Sequence, residues 1–201
     1  IEAILPRLGL RLGIKMRMGY ESTEDILHLL PRMNDYPLTE IIVHARFATQ
    51  LYRNGCDVER FAECGALTRH RLVYNGDINS VEDYLRLKAR LPETTHWMMG
   101  RGVVADPFLP MQVAARSTVY PGERLSVFES FHDALLAELV QSLDNPGQAL
   151  VKMKQYWEYF CRTFSEGKKC YKRVKKTRTI PAFKEAVTIN LDNEARATAR
   201  A

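Results

Sequence analysis

The sequence predicts an α/β part followed by an all-α part, and three observations support this prediction. Between residues 11 and 115, short apolar segments with the character of strands alternate with segments whose apolar residues recur at helical spacing. From about residue 123 onward, only the helical spacing remains. The chain of 201 residues has a hydrophobic content of 46%, which is enough to bury a substantial core. The pattern changes near 117–123, so we expect one domain over 1–117 and a second over 118–201.

The pattern of the first part predicts four strands, each followed by a helix. We expect the strands at 11–19, 38–47, 70–77 and 95–102, and the helices at 22–33, 57–67, 80–91 and 106–115. Near-continuous apolar strands separated by helices are typical of a parallel sheet. Ser80 has a side chain that caps helix N-termini, so it is expected to begin the third helix.

The pattern of the second part predicts a small helical bundle with a basic block. Apolar spacing predicts helices over 122–143, 147–164 and 180–191, with breaks at 145–147 and 166–169. The net charge is +5, and much of the surplus lies at 162–178. The bases there are Arg162, Lys168, Lys169, Lys172, Arg173, Lys175, Lys176 and Arg178, against the single acid Glu166. Such a block suits contact with an anionic polymer, and a solvated basic face is the alternative.

Composition also narrows the class of protein. No run of about 18 apolar residues occurs, so no membrane span is predicted. The N-terminal segment lacks the long apolar stretch of a secretory signal, so none is expected. The cysteines Cys56, Cys64, Cys161 and Cys170 show no CxxC pair and no metal-finger spacing. We therefore expect reduced thiols in a cytoplasmic protein, and no metal site.

Polar and glycine residues lie at the ends of all four predicted strands. They are Lys15, Arg17, His44, Arg46, Asn75, Gly76, Asp77, Gly100 and Arg101. In parallel α/β folds the carboxyl ends of the strands form the face that binds ligands, so these residues are expected at one rim. Glycines admit backbone N–H groups close to a phosphate, and basic side chains add charge-assisted contacts. The residues at the four strand ends together predict a site for a phosphorylated ligand.

Four segments, in order along the chain, match the patterns of a known family. The segment IKMRMG fits V-K-x-R-x-G, and VYNGDINS fits V-x-x-N-G-D-I. The segment IIVHARFATQLYRNGCD fits V-H-x-R-T-x-x-Q-x-Y-x-G-x-A-D, and WMMGRGVVADPFL fits V-M-I-G-R-G-A-L-x-N-P-W. In order and spacing, over about residues 1–115, the chain resembles the tRNA-dihydrouridine synthases, which are FMN enzymes.

The resemblance implies a fold, a reaction and a set of roles. The fold class would be α/β, the C-terminal half of a TIM (β/α)8 barrel with strands five to eight, followed by an all-α helical bundle. The reaction would be reduction of uridine in tRNA to 5,6-dihydrouridine, with NADPH reducing the FMN. The FMN would be lined by Lys15, His44, Asn75, Gly76, Asp77, Gly100 and Arg101. Arg17 and Arg46 would contact the substrate or a phosphate, and the basic block itself predicts tRNA phosphate contacts for Lys168, Lys169, Lys172 and Arg173.

The sequence departs from the family pattern at the proton donor. The family places a catalytic cysteine in an N-x-G-C-P loop, and no such loop occurs in this sequence. Cys56 follows Asn54 and Gly55, but Asp57 stands where the proline would be, and the segment matches a later strand of the barrel. We therefore expect a C-terminal fragment without the catalytic cysteine, inactive alone, whose open half-barrel either is completed or covered by a second chain or is covered by its own helices.

Two other functions stay open on the sequence. One is a non-catalytic tRNA-binding module that retains the helical domain and has lost the chemistry. The other is a different FMN barrel that acts on a small molecule. The basic block at 162–178 argues against the second of these, because a small substrate needs no surface of that kind.

Overall fold

The computed structural model describes residues 1, 3 and 9–200 and shows an α/β part followed by helices. The chain divides into two compact units, Ile1–Gly100 and Arg101–Ala201. The strands lie in the first unit and the long helices in the second. The predicted order of an α/β part and an all-α part is therefore confirmed.

The first unit is built on a four-stranded parallel sheet. The strands are β1 (Leu12–Gly19), β2 (Leu38–Phe47), β3 (Arg71–Asn75) and β4 (His96–Met98), and each lies beside the next one along the chain. Parallel neighbours need a crossover, which α1 (Asp25–Met33), α2 (Val58–Cys64) and α3 (Val81–Arg90) provide. The four predicted strands are confirmed, and β4 is shorter than the sequence indicated.

The sheet buries one face against these helices. Ile41, Val43 and Ala45 alternate along β2 and are fully buried in a core that includes Ile26 of α1 and Phe61 of α2. Successive residues of a strand point to opposite faces, so the residues between them point away from this core. The sheet therefore has one apolar face covered by helices and a second face that carries the strand-end polar residues.

The starts of α2 and α3 follow the local chemistry of the sequence. The Ser80 hydroxyl accepts a hydrogen bond from the backbone N–H of Asp83 at 3.1 Å, which confirms Ser80 as the cap of α3. The Asp57 carboxylate caps α2 by accepting from the backbone N–H of Arg60 at 3.0 Å. It also accepts from the Thr23 hydroxyl at 2.8 Å, which ties α2 to the segment before α1.

Every secondary-structure element described in the second unit is a helix. Its helices are α4 (Arg101–Ala105), α5 (Leu109–Ala115), α6 (Arg124–Ser142), α7 (Pro146–Phe160), a 3-10 turn (Cys161–Thr163), α8 (Gly167–Lys175) and α9 (Ile180–Thr198). Aromatic side chains fill its core: Phe128 of α6 meets Trp157, Phe160 and Phe164 edge to face. Within the described part of the chain, no helix is both long enough and apolar enough to cross a bilayer.

The structure corrects the expected end of the fourth strand. The sequence predicts a strand over 95–102, but Arg101 begins helix α4, which packs against α7 in the second unit. The chain accordingly divides between Gly100 and Arg101, upstream of the boundary expected after residue 117. The fourth strand ends early because the residues that follow it form helices α4 and α5 and do not extend the sheet.

A second correction concerns the basic block. The sequence predicts a break between helices at 166–169, but α8 begins within this segment. Cys170 and Val174 are buried on this helix, one turn apart, and they hold it against the bundle. The basic residues around them are therefore displayed on a helix.

Candidate functional site

One face of the sheet brings four of the predicted site residues together. In the register of the parallel strands, Arg17 lies beside His44, and His44 lies beside Asn75. Lys15 is two residues before Arg17 and so lies on the same face, level with Ile42. Arg17, His44 and Asn75 lie towards the carboxyl ends of three neighbouring strands, whereas Lys15, expected at a strand end, lies midway along β1. We call this group, Lys15, Arg17, His44 and Asn75, the strand-end rim.

His44 is a titratable member of the rim that its surroundings hold in the uncharged form. Burial lowers its pKa from 6.5 to about 4, and the positive charges of Arg17, Lys15 and Arg46 act in the same direction. The Asp77 carboxylate opposes this shift as the smallest influence. At neutral pH the imidazole is therefore uncharged, and it can donate one hydrogen bond and accept another.

Arg46 is buried rather than offered to solvent. Its side chain is 2% exposed, and each of its three nitrogens has a partner. Nε donates to the Cys56 sulfur at 3.4 Å, one terminal nitrogen donates to the Leu51 carbonyl at 3.4 Å, and the other pairs with the Asp77 carboxylate. A direct contact between Arg46 and a tRNA phosphate, as the family resemblance implied, would require this cluster to open.

Arg17 and Arg46 both hold the loop that follows β2. Arg17 donates to the carbonyl oxygens of Phe47 at 3.0 Å and Leu51 at 3.3 Å, so two guanidinium groups converge on the Leu51 carbonyl. Leu51 has a φ of 55°, a left-handed conformation that a branched side chain adopts only under constraint. Tyr52, the next residue, is 59% exposed beside the His44 ring, with 6.3 Å between ring centroids.

The Asn-Gly-Asp turn at the end of β3 is held by contacts with a backbone carbonyl, a buried aromatic ring and a buried arginine. Asn75 donates from its side-chain amide to the Met98 carbonyl at 2.9 Å, which ties β3 to β4. Gly76 lies against the Tyr74 ring, where an added Cβ would come within 2.3 Å of the hydroxyl oxygen. The Asp77 carboxylate is paired with Arg46. The corner thus needs a glycine because the Tyr74 ring occupies the space of any side chain.

Gly100 and Arg101 lie on either side of the division between the units. Gly100 is exposed, and nothing lies within 4 Å of where its Cβ would be. Arg101 is the first residue of α4 and follows Gly100 directly in the chain. The backbone at Gly100 is therefore open to the close approach of a ligand.

The basic residues of the second unit lie on α8 for the most part. Lys168, Lys169 and Lys172 are exposed on this helix. Arg173 is half-buried, because its guanidinium donates to the side-chain oxygen of Asn190 on α9. Of the four basic residues predicted to contact tRNA here, three are displayed and one is engaged within the bundle.

Two residues near the rim have roles that the sequence did not indicate. The sequence pattern predicts an ordinary loop residue at Cys56, but its sulfur contacts both Arg46 and Asp77. No pattern points to Leu51, but its carbonyl oxygen joins the two arginines. The one sequence signal for these roles is the Asn54–Gly55 pair, which is typical of a tight turn beside both residues. Asn54 adopts the left-handed φ of 58° that such a turn needs.

The chain matches the family model described as dihydrouridine synthase over residues 1–198. The match covers both units described above. It therefore extends beyond the region of about residues 1–115 that carries the sequence motifs.

Individual relatives give the same result. The chain is 36% identical over 101 residues, half of its length, to the tRNA-dihydrouridine(16) synthase of Pseudomonas syringae pv. tomato. It is 26% identical over 165 residues, 81% of its length, to the enzyme of that name from Aquipseudomonas alcaligenes. It is 30% identical over 128 residues, 62% of its length, to the human tRNA-dihydrouridine(47) synthase [NAD(P)(+)]-like protein. The matches span 32%, 51% and 19% of these three relatives respectively.

Proposed function

The chain belongs to the dihydrouridine synthase family, a family of oxidoreductases, and on this premise we propose that it contributes to the reduction of uridine in tRNA to 5,6-dihydrouridine. The names of the relatives support tRNA as the substrate. Because the chain spans about half or less of their length, the activity, substrate and cofactor are all parts of the proposal.

We propose that the sheet is the half of a TIM barrel formed by strands five to eight. Four parallel strands, each beside the next along the chain, have the order of consecutive strands in such a barrel. The face that carries Lys15 and His44 would be the interior of that barrel, and a second chain would complete or cover it. The second unit would be the helical domain that binds tRNA.

The strand-end rim supports FMN as the cofactor, and this is the observation that carries the proposal. The exposed ammonium of Lys15 suits an anionic or electron-rich group, and the neutral imidazole of His44 can hydrogen-bond a flavin edge without adding charge. Asn75 still has its side-chain oxygen available as an acceptor, since its amide nitrogen holds Met98. When bound, reduced FMN supplies the hydride for the C5–C6 double bond of uridine, with NADPH as the reductant.

Each further residue has a defined part in the proposal. Gly100 would admit a phosphate close to the backbone, and Arg101 would add positive charge. Gly76 and Asp77 would shape the corner beside the cofactor site, with Asp77 holding Arg46 in place. Cys56 would not be the proton donor for uridine, because its sulfur is engaged by Arg46 and Asp77. The side chains that would follow tRNA phosphates are those of Lys168, Lys169 and Lys172.

A product assay tests the proposal. We expect the 201-residue chain to bind FMN and tRNA but to yield no dihydrouridine with NADPH by itself. Joined to the segment of the Aquipseudomonas alcaligenes relative that it does not cover, it should yield dihydrouridine, detected by mass spectrometry of digested tRNA. His44→Ala in the same fusion should lower the yield, because it removes a rim contact to the flavin. Full product formation by the His44→Ala fusion would contradict the assigned site.

A second candidate function is a non-catalytic tRNA-binding module. The three exposed lysines of α8 favour it, because they form a basic surface that lies in the second unit and does not depend on the strand-end rim. Such a module would bind tRNA through α8 and would have no use for the rim. Binding of tRNA without any binding of FMN would therefore select the module over the enzyme.

A further inference from the structure

We propose that the amino-terminal end of the sheet carries a second binding site, which takes a small apolar acid with its carboxylate beside Arg71. The site is a cavity of about 330 Å³, at the point where α2 and α3 end and β3 and β4 begin. Arg71 is the first residue of β3 and Asn75 is the last, so the cavity and the strand-end rim lie at opposite ends of this strand. The inference concerns the first unit alone and does not rest on the proposed function.

The floor of the cavity is apolar and is part of the core. Phe61 and Leu91 line it and are only 1% and 3% exposed, and Leu72 lines it from β3. The Phe61 ring meets the Tyr74 ring edge to face, with 4.8 Å between ring centroids, so the core holds it in place. The volume lies at the lower end of the range of about 300–1,000 Å³ for small-molecule sites. The floor therefore suits an apolar body of about one aromatic ring.

The loop that joins α3 to β4 forms one wall and is fixed by hydrogen bonds. The Lys88 ammonium donates to the carbonyl oxygens of Pro92 at 2.7 Å and Thr94 at 2.8 Å, and both of these residues line the cavity. The backbone N–H of Thr94 donates to the Leu91 carbonyl at 3.1 Å. A wall that is ordered before the ligand arrives loses little conformational entropy when the ligand binds.

The charged side chains of the lining favour a ligand with a single negative charge. The titratable residues that line the cavity are Arg71, Arg90, Glu93 and His96. Arg90 is paired with Glu59, whereas Arg71 is exposed and has no ion pair or side-chain hydrogen bond among the residues that the structure describes. The planar guanidinium of Arg71 matches the two oxygens of a carboxylate. Glu93 repels a second negative charge, so a monocarboxylate fits this lining better than a phosphate does.

Binding of three simple probes to the 201-residue chain tests the proposal. Phenylacetate has the ring and the charge, phenylacetamide has the same shape without the charge, and acetate has the charge without the ring. We expect phenylacetate to shift the NMR signals of the Leu72, Leu91 and Thr94 amides with a Kd of about 1 mM, a value typical of so few atoms. Phenylacetamide and acetate should each bind about ten-fold more weakly. The proposal is wrong if no saturable shift occurs, if phenylacetamide binds equally well, or if the shifts lie at Lys15 and Asn75.

Single substitutions test the two charges separately. Arg71→Gln should weaken phenylacetate binding about ten-fold, because a charge-assisted pair becomes a neutral hydrogen bond. Glu93→Gln should strengthen it about two-fold, because a repelling charge is removed. Arg69→Gln is the matched control, since Arg69 is an exposed base two residues before Arg71 that does not line the cavity, and it should leave the affinity unchanged. Equal weakening by Arg69→Gln and Arg71→Gln, or weaker binding by Glu93→Gln, would overturn the assignment of the carboxylate to Arg71.

Discussion

At the scale of residues, the ion pair between buried Arg46 and half-buried Asp77 organises the strand ends. Arg46 comes from β2 and Asp77 from the corner after β3, so the pair links two neighbouring elements. A buried guanidinium whose partner is removed is left with an uncompensated charge, which costs about 3–5 kcal/mol. The other contacts of Arg46 fix the Leu51 carbonyl and the Cys56 sulfur. One ion pair therefore sets the shape of both loops beside the rim.

Gly76→Ala is expected to destabilise the first unit. Its Cβ would come within 2.3 Å of the Tyr74 hydroxyl oxygen and 2.5 Å of the ring carbon that bears it. The Tyr74 ring is fully buried, so it cannot move aside without disturbing the core, and overpacking of this kind costs about 1–3 kcal/mol. Urea denaturation of both proteins gives the difference in unfolding free energy.

Gly55→Ala is the matched control for that change. Nothing lies within 4 Å of the Cβ that it would add. Its effect on the free energy of unfolding should therefore stay within about 0.5 kcal/mol. Equal decreases in stability at Gly55 and Gly76 would show that the Tyr74 ring is not the obstacle.

The identity of the rim residues could be predicted from the sequence, but their states could not. The alternation of strands and helices alone places Lys15, His44 and Asn75 on three neighbouring strands. The lowered pKa of His44 depends on burial and on charges that come from two strands, which no local pattern reveals. The burial of Arg46 escapes prediction for the same reason, because its partners are Leu51, Cys56 and Asp77.

At the scale of elements, α8 is a highly charged helix whose start the sequence pattern did not predict. Most residues of Gly167–Lys175 are polar or charged, and only Cys170 and Val174 are buried. The sequence suggests a break at 166–169, because Gly167 and its charged neighbours interrupt the apolar spacing. Packing against the bundle supplies the stability that the sequence pattern does not indicate.

Charge reversal on α8 is expected to weaken tRNA binding. The triple variant Lys168→Glu, Lys169→Glu and Lys172→Glu removes three exposed cations from one helix. If these cations contact phosphates, the affinity should drop, and the slope of log affinity against log salt should fall by about 0.7–0.9 for each phosphate that is no longer neutralised. Filter binding across a salt series measures both quantities. Lys152→Glu, an exposed change on α7, is the control and should alter the slope little.

The core of the helical unit is expected to be sensitive to acid. His132 of α6 is fully buried, its Nε2 accepts from the Trp157 indole at 3.2 Å, and burial lowers its pKa below 6.5. Above pH 6.5 it is neutral in both the folded and the unfolded chain, so stability is at its full value. As the pH falls, the unfolded chain takes up the proton first, which costs the folded state up to about 1.4 kcal/mol per pH unit.

Trp157 fluorescence during urea denaturation at about pH 7 and about pH 5, on either side of the ordinary histidine pKa, measures this sensitivity. The groups that act on His132 are Asp133, which opposes the shift, and Lys184 of α9, which adds to it. His132→Gln keeps an acceptor for the indole but cannot titrate, so its stability should change less between the two pH values. The control His28→Gln, at an exposed position of α1, should keep the sensitivity of the unaltered chain. Identical acid sensitivity in His132→Gln would rule out His132 as its source.

At the scale of the whole molecule, the chain is two compact units that one family model spans. The parallel sheet and the helical second unit could be predicted from the sequence, because alternation and helical spacing act over whole segments. The point of division could not, because α4 belongs to the helical unit through its packing against α7. We infer that the first unit supplies the cofactor rim and the second the RNA surface.

FMN binding to the first unit tests the central claim of this account most directly. Quenching of flavin fluorescence by the 201-residue chain should saturate, and Lys15→Ala should weaken the affinity about ten-fold, or about 1.4 kcal/mol. Arg71→Ala is the matched control, because Arg71 is an exposed base at the opposite end of the same sheet. We expect Arg71→Ala to bind FMN as the unaltered chain does. Absence of saturable FMN binding, or equal weakening by Arg71→Ala and Lys15→Ala, would contradict the account.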